Sequence, residues 1–204
     1  MTNLGLLDLI VFVIGLLFAM TIHEAMHAYA GYLLGDTTAE EEGRLSLNPL
    51  RHIDPVYTVA LPVITYFLFH APILAAKPVP FNPYRVRYGE WGAALIAAAG
   101  PLSNFVLAVL VSVILHLFAM PNLVAYGLET FLELNVLLFI FNLVPIPPLD
   151  GSRILFAFAP EPLQDFMRQI EPYGMFIIFG LVLFGGFGGL LGGLDAAVLR
   201  LLGV

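Results

Sequence analysis

Residues 4–34 read LGLLDLIVFVIGLLFAMTIHEAMHAYAGYLL. The run is apolar for longer than the ~20 residues that cross a hydrocarbon core, so it reads as a membrane helix. Toward its C-terminal end it carries His23, Glu24 and His27, with Phe18-Ala19-Met20-Thr21-Ile22 before them and Ala28-Tyr29-Ala30-Gly31-Tyr32 after. Ionisable residues at membrane depth are costly unless paired or ligated, and are functional by default. On a helix, positions i and i+4 share one face about a turn apart, so both imidazoles can converge on one metal ion. In a His-Glu-x-x-His arrangement the histidines hold Zn²⁺ and the glutamate stands where a general base belongs.

The rest of the chain prefers the same solvent. Of 204 residues, 60% are hydrophobic and 11% charged, against roughly a quarter charged in a soluble domain. Further helices are expected at Gly92–Met120, Val124–Val144 and Pro172–Leu191. A fifth apolar stretch, Val56–Ala76, is interrupted by Pro62 and Pro72, and Leu194–Val204 is apolar but short. The expected fold is all-α: a polytopic transmembrane helix bundle of about four to six membrane segments, forming a single domain over residues 1–204. The first apolar run has no basic residue before it and outlasts a signal-peptide core, so it is expected to be retained. Gly185, Gly186, Gly188, Gly189, Gly192 and Gly193 read as a loose end of the last long helix that packs closely through small residues. A short strand or hairpin is expected over Gly43–Pro55, and an extended path over Lys77–Pro83, where three prolines stand close together.

The chain has no cysteine, which excludes disulfides and thiolate metal sites and leaves His, Asp and Glu as ligands. A net charge of -7, to which Glu40, Glu41 and Glu42 contribute, argues against nucleic acid as a partner. A hydrolytic zinc site wants a third protein ligand. His52, His70, His116 and the acids are the candidates. Asp150 follows an apolar helix broken by Pro145, Pro147 and Pro148, and precedes Gly151, which lets backbone approach closely. The spacing equally supports Asp150 as N-cap of a helix over Ser152–Ala159, with Arg153 nearby. His70 and His116 are lone residues in apolar segments, more often hydrogen-bonded than ligating. His52 lies in a polar loop and reads as a surface or capping residue.

Three elements in order carry a resemblance: His23–His27 on a membrane helix, Ala99-Gly100-Pro101-Leu102-Ser103-Asn104 opening another, and Asn142-Leu143-Val144-Pro145-Ile146-Pro147-Pro148-Leu149-Asp150-Gly151 ending a third. Together they resemble the site-2 protease family of intramembrane zinc metalloproteases, peptidase family M50. The last element is far more specific than His-Glu-x-x-His. The resemblance implies one Zn²⁺ per chain on His23, His27 and Asp150, Glu24 as catalytic base, and Asn142 lining the site and helping to stabilise the oxyanion. Ala76–Pro83 (AKPVPFNP) resembles the short, prokaryotic-type members, and no stretch is long enough for an inserted PDZ-like or C-terminal regulatory domain. Family members cut membrane-anchored regulators or clear leftover signal peptides. The implied partners are therefore membrane proteins with a transmembrane segment, within a lipid bilayer.

If His23, His27 and Asp150 share a metal, the helices ending near them run in one direction and Gly92–Met120 runs the other way. The segment from Gly35 to Trp91 then begins and ends on one side, with Val56–Ala76 re-entrant. This puts Arg44, Arg51, Lys77, Arg85, Arg87, Arg153 and Arg168 on one face, seven of the eight basic residues. By the positive-inside rule that face is cytoplasmic, so the expected location is the cytoplasmic membrane, multi-pass, with the site toward the cytoplasm. Two rivals are a non-catalytic membrane protein with a structural metal, in which Glu24 is dispensable, and a metal-ion transporter. The transporter needs ligands along a path, whereas Asp8, Glu129 and Glu133 lie on the opposite side.

Overall fold

A computed structural model describes residues 5–52, 80–183 and 185–204. Helix α1 (Leu6–Leu33) begins where the Gly5 N–H donates to Asp8 Oδ2 at 2.9 Å, an acid in the first turn that suits the positive end of the helix dipole. It ends just before Gly35, whose φ of +98° turns the chain away. At 1.5 Å per residue α1 is about 42 Å long, more than a hydrocarbon core of ~30 Å requires. A single turn, α2 (Thr38–Glu41), follows, and then a 3-10 turn at Pro49–Arg51. Helices α3 (Gly89–Leu117) and α4 (Asn122–Asn142) are joined by a short connection. Among the described residues, α1, α3 and α4 are the helices long and apolar enough to cross a membrane.

The pattern on α3 is the inverse of a soluble helix. Leu102, Val106 and Leu110, spaced by four, are exposed, while Ala93, Ala97, Gly100, Asn104 and Ala108 are buried. Lipid accepts the large side chains, and small residues let neighbouring backbones approach. The contacts also give helix direction. Tyr126 Oη donates to Asp8 Oδ1 at 2.9 Å near the start of both α1 and α4, so those two helices run parallel. Against α3 the pairings reverse: Asn104 bonds Ala19 and His23, and Ile96 bonds His27.

The chain leaves α1 and enters α3 at the same end of the bundle. There the Arg87 N–H donates to Leu34 O at 2.9 Å and the Asn82 N–H to Asp36 Oδ2 at 2.6 Å. Asp36 is buried and also accepts from the Thr38 hydroxyl and N–H. Burial alone would raise the Asp36 carboxyl, but these donors and the nearby Arg85 guanidinium hold it below the ordinary carboxylate value. The chain thus returns to the same end of the bundle, which is what the expected topology requires. Val56–Ala76, His70 and Lys77 lie outside the described residues.

Four expectations are corrected. The described part of Gly43–Pro55 contains no strand. Asn48 Oδ1 accepts from the Leu50 N–H to open the 3-10 turn, and Arg44 reaches the Arg51 carbonyl. His52 is buried rather than on the surface, bonded through Nε2 to Ser46 O at 2.7 Å. The helix expected over Pro172–Leu191 is two, α7 (Gly174–Leu183) and α8 (Gly186–Leu202), because Gly185 adopts φ +72° between them. Leu194–Val204 is accordingly the end of α8 rather than a separate segment. It is held where Ser112 Oγ donates to Leu202 O at 2.6 Å. Between α4 and α7 lie two short helices, α5 (Asp150–Phe158) and α6 (Glu161–Ile170).

Candidate metal centre

The last third of α1 brings His23 and His27 onto one buried face, as their spacing dictates. After α4 the proline-rich turn at 145–148 reverses the chain so that α5 starts at Asp150, with Leu149 preceding it as N-cap. The capping role for Asp150 is thus excluded. Instead its Oδ2 lies 3.2 Å from His23 Nε2 and 3.3 Å from His27 Nε2. The two Nε2 atoms are 3.0 Å apart. Gly151 is required for this path, since a Cβ there would strike the Leu143 carbonyl at the end of α4. The edge-on stacking of Trp91 and Phe158, centroids 4.6 Å apart, holds α5 against α3.

Both imidazoles are oriented from behind. His23 Nδ1 bonds Asn104 Oδ1 at 2.6 Å, and His27 Nδ1 bonds the Ile96 carbonyl at 2.7 Å. Both partner atoms only accept, so each Nδ1 carries a hydrogen, and in its neutral form each ring presents an Nε2 lone pair toward the other and toward Asp150. The direction of the Asn104 amide is itself determined. Its Nδ2 donates to Asn135 Oδ1 at 2.8 Å and to Ala19 O at 3.3 Å, while Asn135 Nδ2 donates to Phe131 O at 2.7 Å. Asn104 and Asn135 are completely buried.

These donors fit zinc. With both rings neutral, two nitrogen lone pairs and a carboxylate oxygen lie within 3.3 Å of one another, a repulsion that a metal cation between them relieves. Among the described residues Asp150 Oδ2 is buried without a hydrogen-bond donor, as a ligand atom should be. Ligands about 2.0–2.1 Å from a tetrahedral zinc stand roughly 3.3–3.4 Å apart, close to the observed triangle. Backing of each histidine by an acceptor is the usual way its tautomer is set for a metal. The arrangement also explains Gly100, where a Cβ would collide with both imidazoles.

Glu24 and Asn142 line the same cavity, about 290 Å³ in volume, together with His23, His27 and Asp150. Asn142 Nδ2 donates to Leu138 O at 3.0 Å. His52 and His116 stay outside the group, and His116 is bonded to Ser112 O at 2.8 Å within its own helix. The sequence reading passed over Asn135 and the Ile96 carbonyl. Asn135 could have been found as a lone amide in the otherwise apolar stretch Leu134–Phe141, whereas a backbone acceptor leaves no mark on composition.

The model of peptidase family M50 matches residues 122–185, the part that contains Asn142 and Asp150. YwhC of Bacillus subtilis, provisionally named a zinc metalloprotease, is 40% identical over 181 residues, covering 84% of this chain and 78% of YwhC. Rip2 of Mycolicibacterium smegmatis, named in the same way, is 30% identical over 181 residues, covering 85% of this chain and 67% of its own. MJ0611 of Methanocaldococcus jannaschii shares 39% identity over only 61 residues. No solved structure matches the chain significantly. With likeness along most of its length, three helices among the described residues long and apolar enough to cross a membrane and a His-His-Asp group that could hold a metal, the chain belongs to peptidase family M50, the site-2 proteases, and is a zinc metallopeptidase.

Proposed function

We propose that this protein is an intramembrane protease, a single domain over residues 1–204, that cleaves peptide bonds in or near the transmembrane segments of membrane proteins. His23, His27 and Asp150 hold the zinc, Glu24 is the general base and Asn142 a donor to the oxyanion. The observation that carries the reading is the triangle of three ligand atoms 3.0–3.3 Å apart, beside a cavity that Glu24 and Asn142 also line. Depth supports the intramembrane part. His23 stands ten residues before Leu33, roughly 15 Å from that end of α1, which is inside or at the edge of the hydrocarbon.

When bound, zinc supplies Lewis acidity toward the scissile carbonyl and toward water. The Glu24 carboxylate takes a proton from the attacking water as the carbon–oxygen bond forms. It returns that proton to the amine nitrogen as the carbon–nitrogen bond breaks. Asn142 Nδ2 has two hydrogens; Leu138 O takes one, and the second would donate to the developing oxyanion. A substrate helix must unwind locally, because an intact helix keeps its carbonyls bonded within itself.

The basic residues orient the site. Arg44, Arg51, Arg85, Arg87, Arg153 and Arg168 lie on segments at the metal end of the bundle, whereas Arg200 lies on the α8 end that packs near Ser112. This asymmetry supports a cytoplasmic membrane location with the site toward the cytoplasm. The test is cleavage of a reporter transmembrane substrate by purified protein, wild type against Glu24→Gln, with zinc counted in both. Stoichiometric zinc in both and cleavage by wild type alone is expected. Equal cleavage by Glu24→Gln would sink the assignment of the base.

A further inference from the structure

A second cavity, of about 200 Å³, adjoins the metal cavity. Phe81, Ala93 and Arg153 line both. Arg153 is one turn beyond Asp150 on α5, so the helix that contributes a carboxylate to the metal group also contributes the wall between the two spaces. The Arg153 guanidinium lies 5.7 Å from the centroid of the Phe81 ring and donates to Glu171 Oε1 at 2.5 Å. Phe156, buried Met167 and the acid Glu90 also line it.

We propose that this second cavity is a side-chain subsite, which receives a medium-sized apolar side chain of the substrate residue next to the scissile bond. The proposal rests on catalysis at the His23–His27–Asp150 group. Its first support is continuity: a chain held across the metal cavity reaches the second one past the shared Phe81–Arg153 wall. Its second is chemistry. The cations of the lining already have partners, Arg153 on Glu171 and Arg168 on Asp165 at 2.8 Å, with Arg168 also 5.0 Å from the Phe156 ring centroid. Beside the Glu90 carboxylate, the wall offered to a ligand is the apolar surface of Phe81, Phe156 and Met167. The third is size, since drug-sized ligands occupy roughly 300–1,000 Å³ and this space suits one side chain. The charged rim puts the cavity at the polar end of the bundle, which disfavours a lipid tail as occupant.

The experiment uses the zinc-loaded full chain in detergent and three peptide hydroxamates that carry a methyl, isobutyl or benzyl group beside the metal-binding end. Wild type should bind the isobutyl compound about tenfold more tightly than the methyl one, given the extra apolar carbons buried. Met167→Trp, which fills the cavity, should bring that ratio to about one. Met167→Ala, which enlarges it, should move the preference toward benzyl by about tenfold. Stoichiometric zinc in each variant verifies a folded site. Equal binding of all three by wild type, or ratios unmoved by both substitutions, would overturn the subsite while leaving the metal site standing. Failure of all three to bind zinc-loaded wild type would overturn the metal-site reading and the subsite with it.

Discussion

Helices α3 and α8 are both apolar and both carry glycine, for different reasons. In α3, a Cβ on Gly92 would strike the Arg87 carbonyl, and one on Gly100 would strike the imidazoles of His23 and His27. In α8, Cβ atoms on Gly188, Gly189, Gly192 or Gly193 would meet nothing within 4 Å. Among the described residues the close packing expected of the α8 glycines is therefore not observed, and from Gly186 the run forms a helix, not a loose end. A small residue in a membrane helix is informative only through what approaches it. In α3 that is the back of a metal site; in α8 it is open space, at about 0.8–1.0 kcal/mol of helix propensity per glycine relative to alanine.

The largest expected effect would break the α3 side of this contrast. Gly100→Ala must push the imidazoles from their places, so zinc retention against a graded chelator should weaken about 100-fold and cleavage fall with it. Zinc retention like wild type would show that the imidazoles have room the geometry denies them. One step further back, Asn104→Leu removes the acceptor that sets the His23 tautomer, and about 10- to 100-fold weaker zinc binding is expected. Asn135→Leu should weaken it less, because Ala19 O still partly directs the Asn104 amide. Nitrogen NMR of the histidines in the zinc-free protein would test the cause: the Nδ1–H tautomer of His23 should persist in wild type and become mixed in both variants.

A smaller effect concerns the clamp where α1 hands the chain toward α3. The Asp36 carboxyl is held below its ordinary value in the folded protein, so its contribution is fully present above the unfolded value of about 3.9. It is lost as pH falls through the lower folded value. The thermal midpoint of wild type should therefore drop between pH 5 and pH 3 by more than that of Asp36→Asn. Equal drops would remove Asp36 as a contributor. The smallest effect sharpens the α8 side: Gly192→Ala should leave cleavage at the wild-type level and raise stability by up to about 1 kcal/mol. Loss of cleavage there would mean that α8 packs against something its open surroundings do not show.

The candidate metal site was legible because its chemistry is local or carried by a specific motif. His23, Glu24 and His27 lie within one turn and a third, and helical periodicity alone puts the histidines on one face. Asp150 needed the family resemblance, since spacing left a capping role equally open; the start of α5 at Asp150, with Leu149 as N-cap, removes that alternative. Helix direction was also legible, as a consequence of requiring distant residues to meet. The break at Gly185 was not, because a left-handed glycine and a helical glycine are written with the same letter. The hairpin expected at Gly43–Pro55 failed for a related reason: alternation over a few residues suits an Asn-capped 3-10 turn as well as a strand.

By itself, then, the amino-acid order determined solvent, helix content, family and the identity of the zinc-ligand candidates, because hydrophobicity and helical period act on neighbours in the chain. Only the tertiary structure decided how those ligands are held. The Asn135–Asn104–His23 hydrogen bonds, the Ile96 carbonyl behind His27, the space kept by Gly100 and the second cavity behind Arg153 all join residues far apart in sequence. Such contacts depend on how three membrane helices pack, and hydrogen-bond direction and excluded volume exist only once those helices are side by side.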